Sequence, residues 1–181
     1  MKIISGGQTG VDRAALDAAL EFGIPAGGWC PRGRKAEDGP LDAKYPLKET
    51  DSDDYSVRTE RNVCDSDGTL IITRGRPTGG TAYTIAMARV HNKPCLVVDL
   101  DEHHPRDQCH PRESGDLPLP LGEGRGEGAV PRILSWLLAN NIITLNIAGP
   151  RESNCPGIYT EARKIIADLL KDDSTVSPSG L

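Results

Sequence analysis

Short apolar runs alternate along this chain with longer stretches whose apolar residues recur at helical spacing, and few folds accommodate that pattern. Lys2–Ser5 reads as a buried strand. Val11–Phe22 follows as a helix, stopped by Gly23 and Pro25. "AGGWC" (Ala26–Cys30) is a weaker second strand, closed by Pro31. Tyr55–Cys64 predicts a short helix, "DGTLIIT" a third strand and Ala82–His91 the helix after it. "CLVVDL" (Cys95–Leu100) is the fourth strand, Pro131–Asn140 a helix with proline at a permitted early position, and "ITLNIAG" the fifth strand. In the last helix Ile158, Ala162, Ile165, Ile166, Leu169 and Leu170 keep an amphipathic spacing.

Alternating strands and helices predict an α/β fold: a single Rossmann-like, doubly wound parallel sheet with helices on both faces. Ligands of such sheets bind beyond the carboxyl ends of the strands, at the point where strand order reverses. With the order 2-1-3-4-5, the first and third strands would be neighbours. Their glycine-rich turns, "SGGQTG" and "RGRPTGGT", would then face one another across one crevice.

The expected domain is residues 1–171, with a flexible tail at 172–181. It is interrupted at about 103–128 by "HHPRDQCHPRESGDLPLPLGEGRGEG", a run rich in Pro, Gly, Arg and Glu that lacks apolar periodicity and is expected to be disordered. His103, His104, Cys109 and His110 lie in this insert at spacings unlike those of a zinc site, so no intrinsic metal site is expected. The stretch from Pro31 to Ser56 is polar, and too long for an idle connection in a compact domain.

Composition narrows the function. The chain has 181 residues, of which 37% are hydrophobic, enough for one core but cramped for two domains. Aromatic residues make up only 4%, which disfavours a base-stacking nucleic-acid platform, and the net charge of −5 disfavours nucleic acid and anionic membranes as partners. Five scattered cysteines form no C-x-x-C pair and suggest a reduced, cytoplasmic protein, in keeping with an N-terminus that enters a strand without a signal-peptide core. Cys30 stands out because it ends a strand.

Against that acidic background, the basic residues Arg13, Arg32, Arg34, Lys35, Arg58, Arg74, Arg76 and Arg151 fall in or beside loops leaving the carboxyl ends of strands. They suggest a pocket for a small molecule bearing phosphate or another oxyanion, since guanidinium grips such groups in bidentate fashion. "PTGGT" suits the same task. A helix N-terminus offers unpaired N–H groups, Gly79 and Gly80 let the ligand approach, and Thr78 and Thr81 add hydroxyls. "GGQTG" repeats the logic at the first helix. Asp12, Asp65 and Asp67 could bind ligand hydroxyls or amines, although Asp65 and Asp67 also suit a capping role before the third strand. No catalytic constellation and no P-loop lysine is present, so a binding protein is favoured over an enzyme.

The segments "KIISGGQTGVDRAALDAAL", "GGWCPRGRKAEDGP", "Y…RTERNVCDSDGTLII", "GRPTGGTAYT" and "NIAGPRESNCPGIY" together resemble the molybdenum (molybdenum cofactor) carrier family, within the Rossmann-like superfamily that includes the LONELY GUY phosphoribohydrolases. The resemblance spans about Lys2–Leu100 and Ala129–Leu170. It implies that Gly6, Gly7, Gln8, Thr9 and Gly10 line one side of the crevice. Thr78, Gly79, Gly80 and Thr81 would take phosphate or oxyanion, and Arg34, Lys35, Tyr55, Arg58 and Arg151 would complete the shell. The carried ligand would be molybdenum cofactor, a pterin with a terminal phosphate and a dithiolene-bound oxo-molybdenum centre. Partners implied are a second copy or more of the chain (a dimer or tetramer, with faces such as Ala82–Val90 available) and molybdoenzymes or cofactor-synthesis proteins. The alternatives are a nucleotide sensor and a phosphoribohydrolase of the LONELY GUY kind. Those enzymes carry a catalytic glutamate in P-G-G-x-G-T-x-x-E, and here its position holds Thr84. A hydroxyl does not replace a carboxylate base without a partner base.

Overall fold

The computed structural model of the chain describes residues 1–101 and 128–176, with only the backbone over 172–176. The predicted insert, Gly128 apart, and residues 177–181 lie outside the described residues, and so do His103, His104, Cys109 and His110.

Five strands form one parallel sheet: β1 (Lys2–Ile4), β2 (Ala26–Gly27), β7 (Gly68–Thr73), β8 (Cys95–Asp99) and β9 (Thr144–Ala148). Short elements fill the stretch between β2 and β7. These are β3 (Trp29–Cys30), β4 (Lys35–Ala36), β5 (Gly39–Pro40), β6 (Lys48–Glu49) and the helix α2 (Tyr55–Cys64). The other helices are α1 (Val11–Glu21), α3 (Gly79–Val90), α4 (Ala129–Ala139) and α5 (Ile158–Val176). The predicted elements are all present. α3 begins three residues before its predicted start, and α5 continues past the predicted domain end at 171.

Strand order differs from the expectation. The sheet runs β2-β1-β9-β7-β8, so the last strand separates the first from the third. Ile3 pairs with Leu145, and Leu70 with Ile147, which puts β9 at the centre of the sheet. A strand buried on both faces suits that place, and "LNIA" is fully buried. Counted from β9, the order becomes 3-2-1-4-5, the arrangement of a nucleotide-binding Rossmann half. The reversal point then lies between β9 and β7.

Period-two alternation divides the strands between two faces. Ile3, Leu145, Ile147, Leu70 and Ile72 meet α1, α4 and α5 in the main core, where Ala14, Ala15, Ala18 and Ala19 let α1 come close to the sheet. On the other face α2 packs against α3. There the sheet carries polar side chains, and Asn146 Nδ2 donates to Thr69 Oγ1 at 3.2 Å.

The weak second strand is split. Gly28, at φ 131°, turns the chain where a Cβ would strike the Ser5 carbonyl. β2 therefore stays beside β1 while β3 leaves to pair with β6. Asn62 acts in place of a strand neighbour for Trp29: its Oδ1 accepts from Trp29 N at 2.7 Å, and its Nδ2 donates to Trp29 O at 3.1 Å. The long polar stretch is ordered around a small second core of Leu16, Cys30, Leu41, Tyr45 and Leu47. Cys30 is part of that core, and burial pushes its thiol up from the ordinary value.

Candidate functional site

A cleft of about 400 Å³ opens at the reversal point, between the loops that leave β9 and β7 and the N-terminal half of α2. Its lining holds Gln8, Tyr55, Arg58, Thr78, Gly79, Gly80, Thr81 and Arg151 from the residues predicted above. Arg74 and Arg76, expected among the basic residues of an anion pocket, and Asp12, expected as a carboxylate for ligand hydroxyls or amines, line it too, as do Thr73, Tyr83, Asn154 and Cys155, which sequence reasoning did not single out. Arg74 and Arg76 carried a signal in their position after β7, and Asp12 in its place at the start of α1. Asn154 and Cys155 had none, because only the central position of β9 brings their loop here.

The rim formed by β7 and α3 is open. A Cβ built on Gly79 or Gly80 meets nothing within 4 Å, and both residues are exposed. The hydrogen bonds of α3 begin with Thr81 N and Ala82 N donating to Thr78 O. The N–H groups of Gly79 and Gly80 precede that ladder and are free to meet an anion. Thr78 makes no side-chain cap bond. Arg76 stands beside this terminus without an ion-pair partner among the described residues, while Arg74 pairs with Glu161.

The opposite wall is held by a buried ion pair. Arg58 Nη1 lies 3.2 Å from Asp12 Oδ2, with the two side chains 13% and 4% exposed. Burial pushes the Asp12 carboxyl above its ordinary value, and the Arg58 guanidinium pulls the other way without cancelling the rise. The Tyr55 ring lies under two guanidinium groups, with Arg151 4.9 Å and Arg58 5.9 Å from its centroid. Asp12 is the one acidic residue lining the cleft among the described residues, in a lining that also holds Arg58, Arg74, Arg76 and Arg151.

The remaining predicted residues lie elsewhere. Gly6 sits beneath Arg58, where a Cβ would come 2.9 Å from Asp12 Oδ2. Gly7 packs on Leu41 and Leu47, and Gly10 on the backbone of Pro150 and Glu152. Thr9 Oγ1 donates to Glu37. Arg34 donates to the carbonyl oxygens of Leu41, Leu47, Asp42 and Tyr45 at 2.9–3.2 Å, which makes it the staple of its own loop. Lys35 pairs with Asp53 on the surface at 2.9 Å. Asp65 and Asp67 have structural work. Asp65 accepts from Trp29 Nε1 at 2.7 Å, and Asp67 accepts from the Ile143 and Thr144 amides. Arg13 makes a two-pronged pair with Asp38.

Thr84 is buried and donates to the Gly80 carbonyl at 2.9 Å. Among the described residues no group of three or more His, Cys, Asp or Glu is placed to hold a metal ion, and no helix is long and apolar enough to cross a membrane.

The fold and the cleft define a Rossmann-like ligand-binding domain whose strands are threaded in permuted order. Residues 3–170 match the model of the circularly permutated YpsA SLOG family, cpYpsA, and the chain belongs to that family. In the sheet of this chain β9 stands where a Rossmann half has its first strand, an order that agrees with a circular permutation. The chain is also 45% identical to a crystal structure from Syntrophus aciditrophicus SB described as a "putative molybdenum carrier protein". The match covers 93% of each chain, with a TM-score of 0.77. No curated protein matches.

Proposed function

We propose that this protein binds and carries molybdenum cofactor, or a closely related small molecule bearing phosphate or an oxyanion, in the cleft between β9 and β7. One observation carries the reading: in a chain of net charge −5, Arg58, Arg74, Arg76 and Arg151 converge with an open helix N-terminus on a single cleft. Phosphate would sit on the Gly79 and Gly80 amides, flanked by Thr78, Thr81 and Arg76. Tyr55 and the guanidinium groups above it offer a flat surface for a ring system. The described relative adds the molybdenum assignment.

The same cleft suits a nucleotide, which makes similar demands. Binding without turnover is the favoured reading because Thr84 occupies the position of the catalytic glutamate and donates to its own helix. A cytoplasmic setting fits the free cysteines. Assembly into a dimer or tetramer would use the outer face of α3, where Ala86 and Val90 are exposed, and delivery would be to molybdoenzymes or cofactor-synthesis proteins. Native mass spectrometry of the purified protein should find a bound pterin phosphate, and calorimetry should find affinity for molybdenum cofactor exceeding that for AMP. Release of adenine from AMP at an enzyme-like rate would overturn the carrier reading and make Asp12, with its raised pKa, the first candidate for an acid or base.

A further inference from the structure

Three segments far apart in sequence meet at the tip of the β4–β5 hairpin. Glu37 accepts from Thr9 Oγ1 in the turn after β1 and from Ser153 in the loop after β9, where the hydroxyl donates at 2.6 Å and the amide at 3.4 Å. Its own amide donates to Gln8 Oε1 at 2.9 Å. Thr9 Oγ1 in turn accepts from Glu152 N at 3.2 Å. Two successive amides of the loop, Glu152 N and Ser153 N, thus find acceptors in Thr9 and Glu37, which are 143 and 116 residues away in sequence. These amides directly follow Arg151, whose carbonyl accepts from Asn154 N at 3.1 Å and from Cys155 N at 3.0 Å. Arg151, Asn154 and Cys155 line the cleft, and the Arg151 guanidinium lies over Tyr55. Glu37 stands outside that lining.

A backbone amide needs an acceptor, so a loop settles in the shape that pairs its N–H groups. Here a relay does the pairing. Glu152 N–H donates to the Thr9 hydroxyl, the one proton of that hydroxyl goes to Glu37, and Ser153 N–H joins the same carboxylate. Without the carboxylate, Thr9 and Ser153 lose their shared acceptor. We propose that Glu37 is a positioning residue for the cleft: from the hairpin it fixes the loop after β9 and so holds Arg151 over Tyr55 for an anionic ligand. This rests on the anion-binding reading above and adds what readies the site, since a binding side chain is only as well placed as the groups that hold it. The neighbouring tip residue has a separate task. Asp38 grips Arg13 on α1, at 3.1 and 3.2 Å, so the hairpin has one side chain for the loop and one for the helix.

Calorimetry of the full chain with AMP and inorganic phosphate as probes, together with hydrogen exchange of the unliganded chain, tests this. Glu37 is exposed, so its loss should count for about one hydrogen bond: Glu37→Ala should weaken AMP binding about fivefold. Exchange over residues 151–155 should quicken by a similar factor. Thr9→Val, which removes the middle of the relay, should act in the same direction and serves where Glu37→Ala does not fold. Glu37→Gln keeps an acceptor oxygen for Thr9 and Ser153 and should restore most of both losses. Removing a negative charge by itself favours an anion in either variant, so weakening by alanine alone marks the bonds as the cause. Asp38→Ala, which loosens the same hairpin on its other side, should leave AMP affinity within about twofold. In an Arg151→Ala background, Glu37→Ala should weaken binding no further, because its effect runs through Arg151. The proposal is overturned if the relay variants bind AMP as wild type does, or if exchange over 151–155 is unchanged in them. It is equally overturned if Asp38→Ala weakens binding as much, or if the Glu37 and Arg151 losses add. Should AMP bind wild type and the relay variants alike, only the positioning role falls. Should wild type bind neither AMP nor phosphate, the anion cleft itself falls and takes this proposal with it.

Discussion

The glycine turns after β1 and after β7 are built from the same residue types and end in opposite ways. At Gly6–Gly10 the glycines are pressed against other parts of the protein: Arg58 over Gly6, Leu41 and Leu47 on Gly7, and the Pro150–Glu152 backbone on Gly10. Thr9, the hydroxyl of that turn, is engaged by Glu37 from the tip of the β4–β5 hairpin, which also holds Ser153. The protein thus supplies a carboxylate of its own beside the start of α1. At Thr78–Thr81 none of the described residues crosses the helix N-terminus, and none lies within 4 Å of a Cβ built on Gly79 or Gly80. Glycine serves close internal packing in one turn and leaves room for a visitor in the other. The same short motif is consistent with both.

Substitutions can break or sharpen that contrast. The largest effect is expected at Gly10. Its φ is 75°, and a Cβ would run into the Pro150 carbonyl and come 2.8 Å from Glu152 N, both backbone atoms that cannot swing aside. Gly10→Ala should destabilise the fold by about 3 kcal/mol or more, measured by urea unfolding. A loss below about 1 kcal/mol would show that the first turn is as permissive as the second.

Gly80→Val should do the reverse. A valine there has free space, so the unfolding midpoint should stay within a few degrees, while its methyl groups intrude on the helix N-terminus. Loss of the amide contacts to phosphate should weaken AMP or GMP binding by about 2 kcal/mol or more in calorimetry. Undiminished affinity would remove the phosphate site from this turn.

Arg151→Ala should cost less, about 1.5 kcal/mol of ligand affinity, the low end for a charge-assisted bond, with little change in stability because it makes no salt bridge among the described residues. The smallest effect concerns the plugged turn. Burial tends to raise the Glu37 carboxyl, but hydrogen bonds from Ser153 and Thr9 outweigh it and hold the group below its ordinary 4.5. A carboxylate with a lowered folded value stabilises the fold fully above 4.5 and ceases to do so as pH falls through that lowered value. Amide exchange at residues 35–40 should therefore quicken on acidification below 4.5, and Glu37→Gln should flatten that dependence. Exchange independent of pH in the wild type, after correction for the intrinsic rate, would leave the plug without a role in holding the hairpin.

Much of this molecule follows from local pattern. The spacing of Ile158, Ala162, Ile166 and Leu169 specifies a helix whatever surrounds it, and "TLIIT" and "LNIA" are apolar enough to require burial on both faces. The tertiary structure alone decided that β9 enters between β1 and β7, because several strands are apolar enough for a central place and only the packing of α1, α4 and α5 chooses among them. That choice carried Pro150 onto Gly10 and brought Asn154 and Cys155 to the cleft, across separations that no local spacing records. It also separated arginines of identical chemistry. Arg34 is enclosed by four carbonyls of its own loop, whereas Arg58 reaches the cleft through Asp12, 46 residues away in sequence. A guanidinium group binds whichever acceptors the fold places nearest, so its role was settled only when the chain closed on itself.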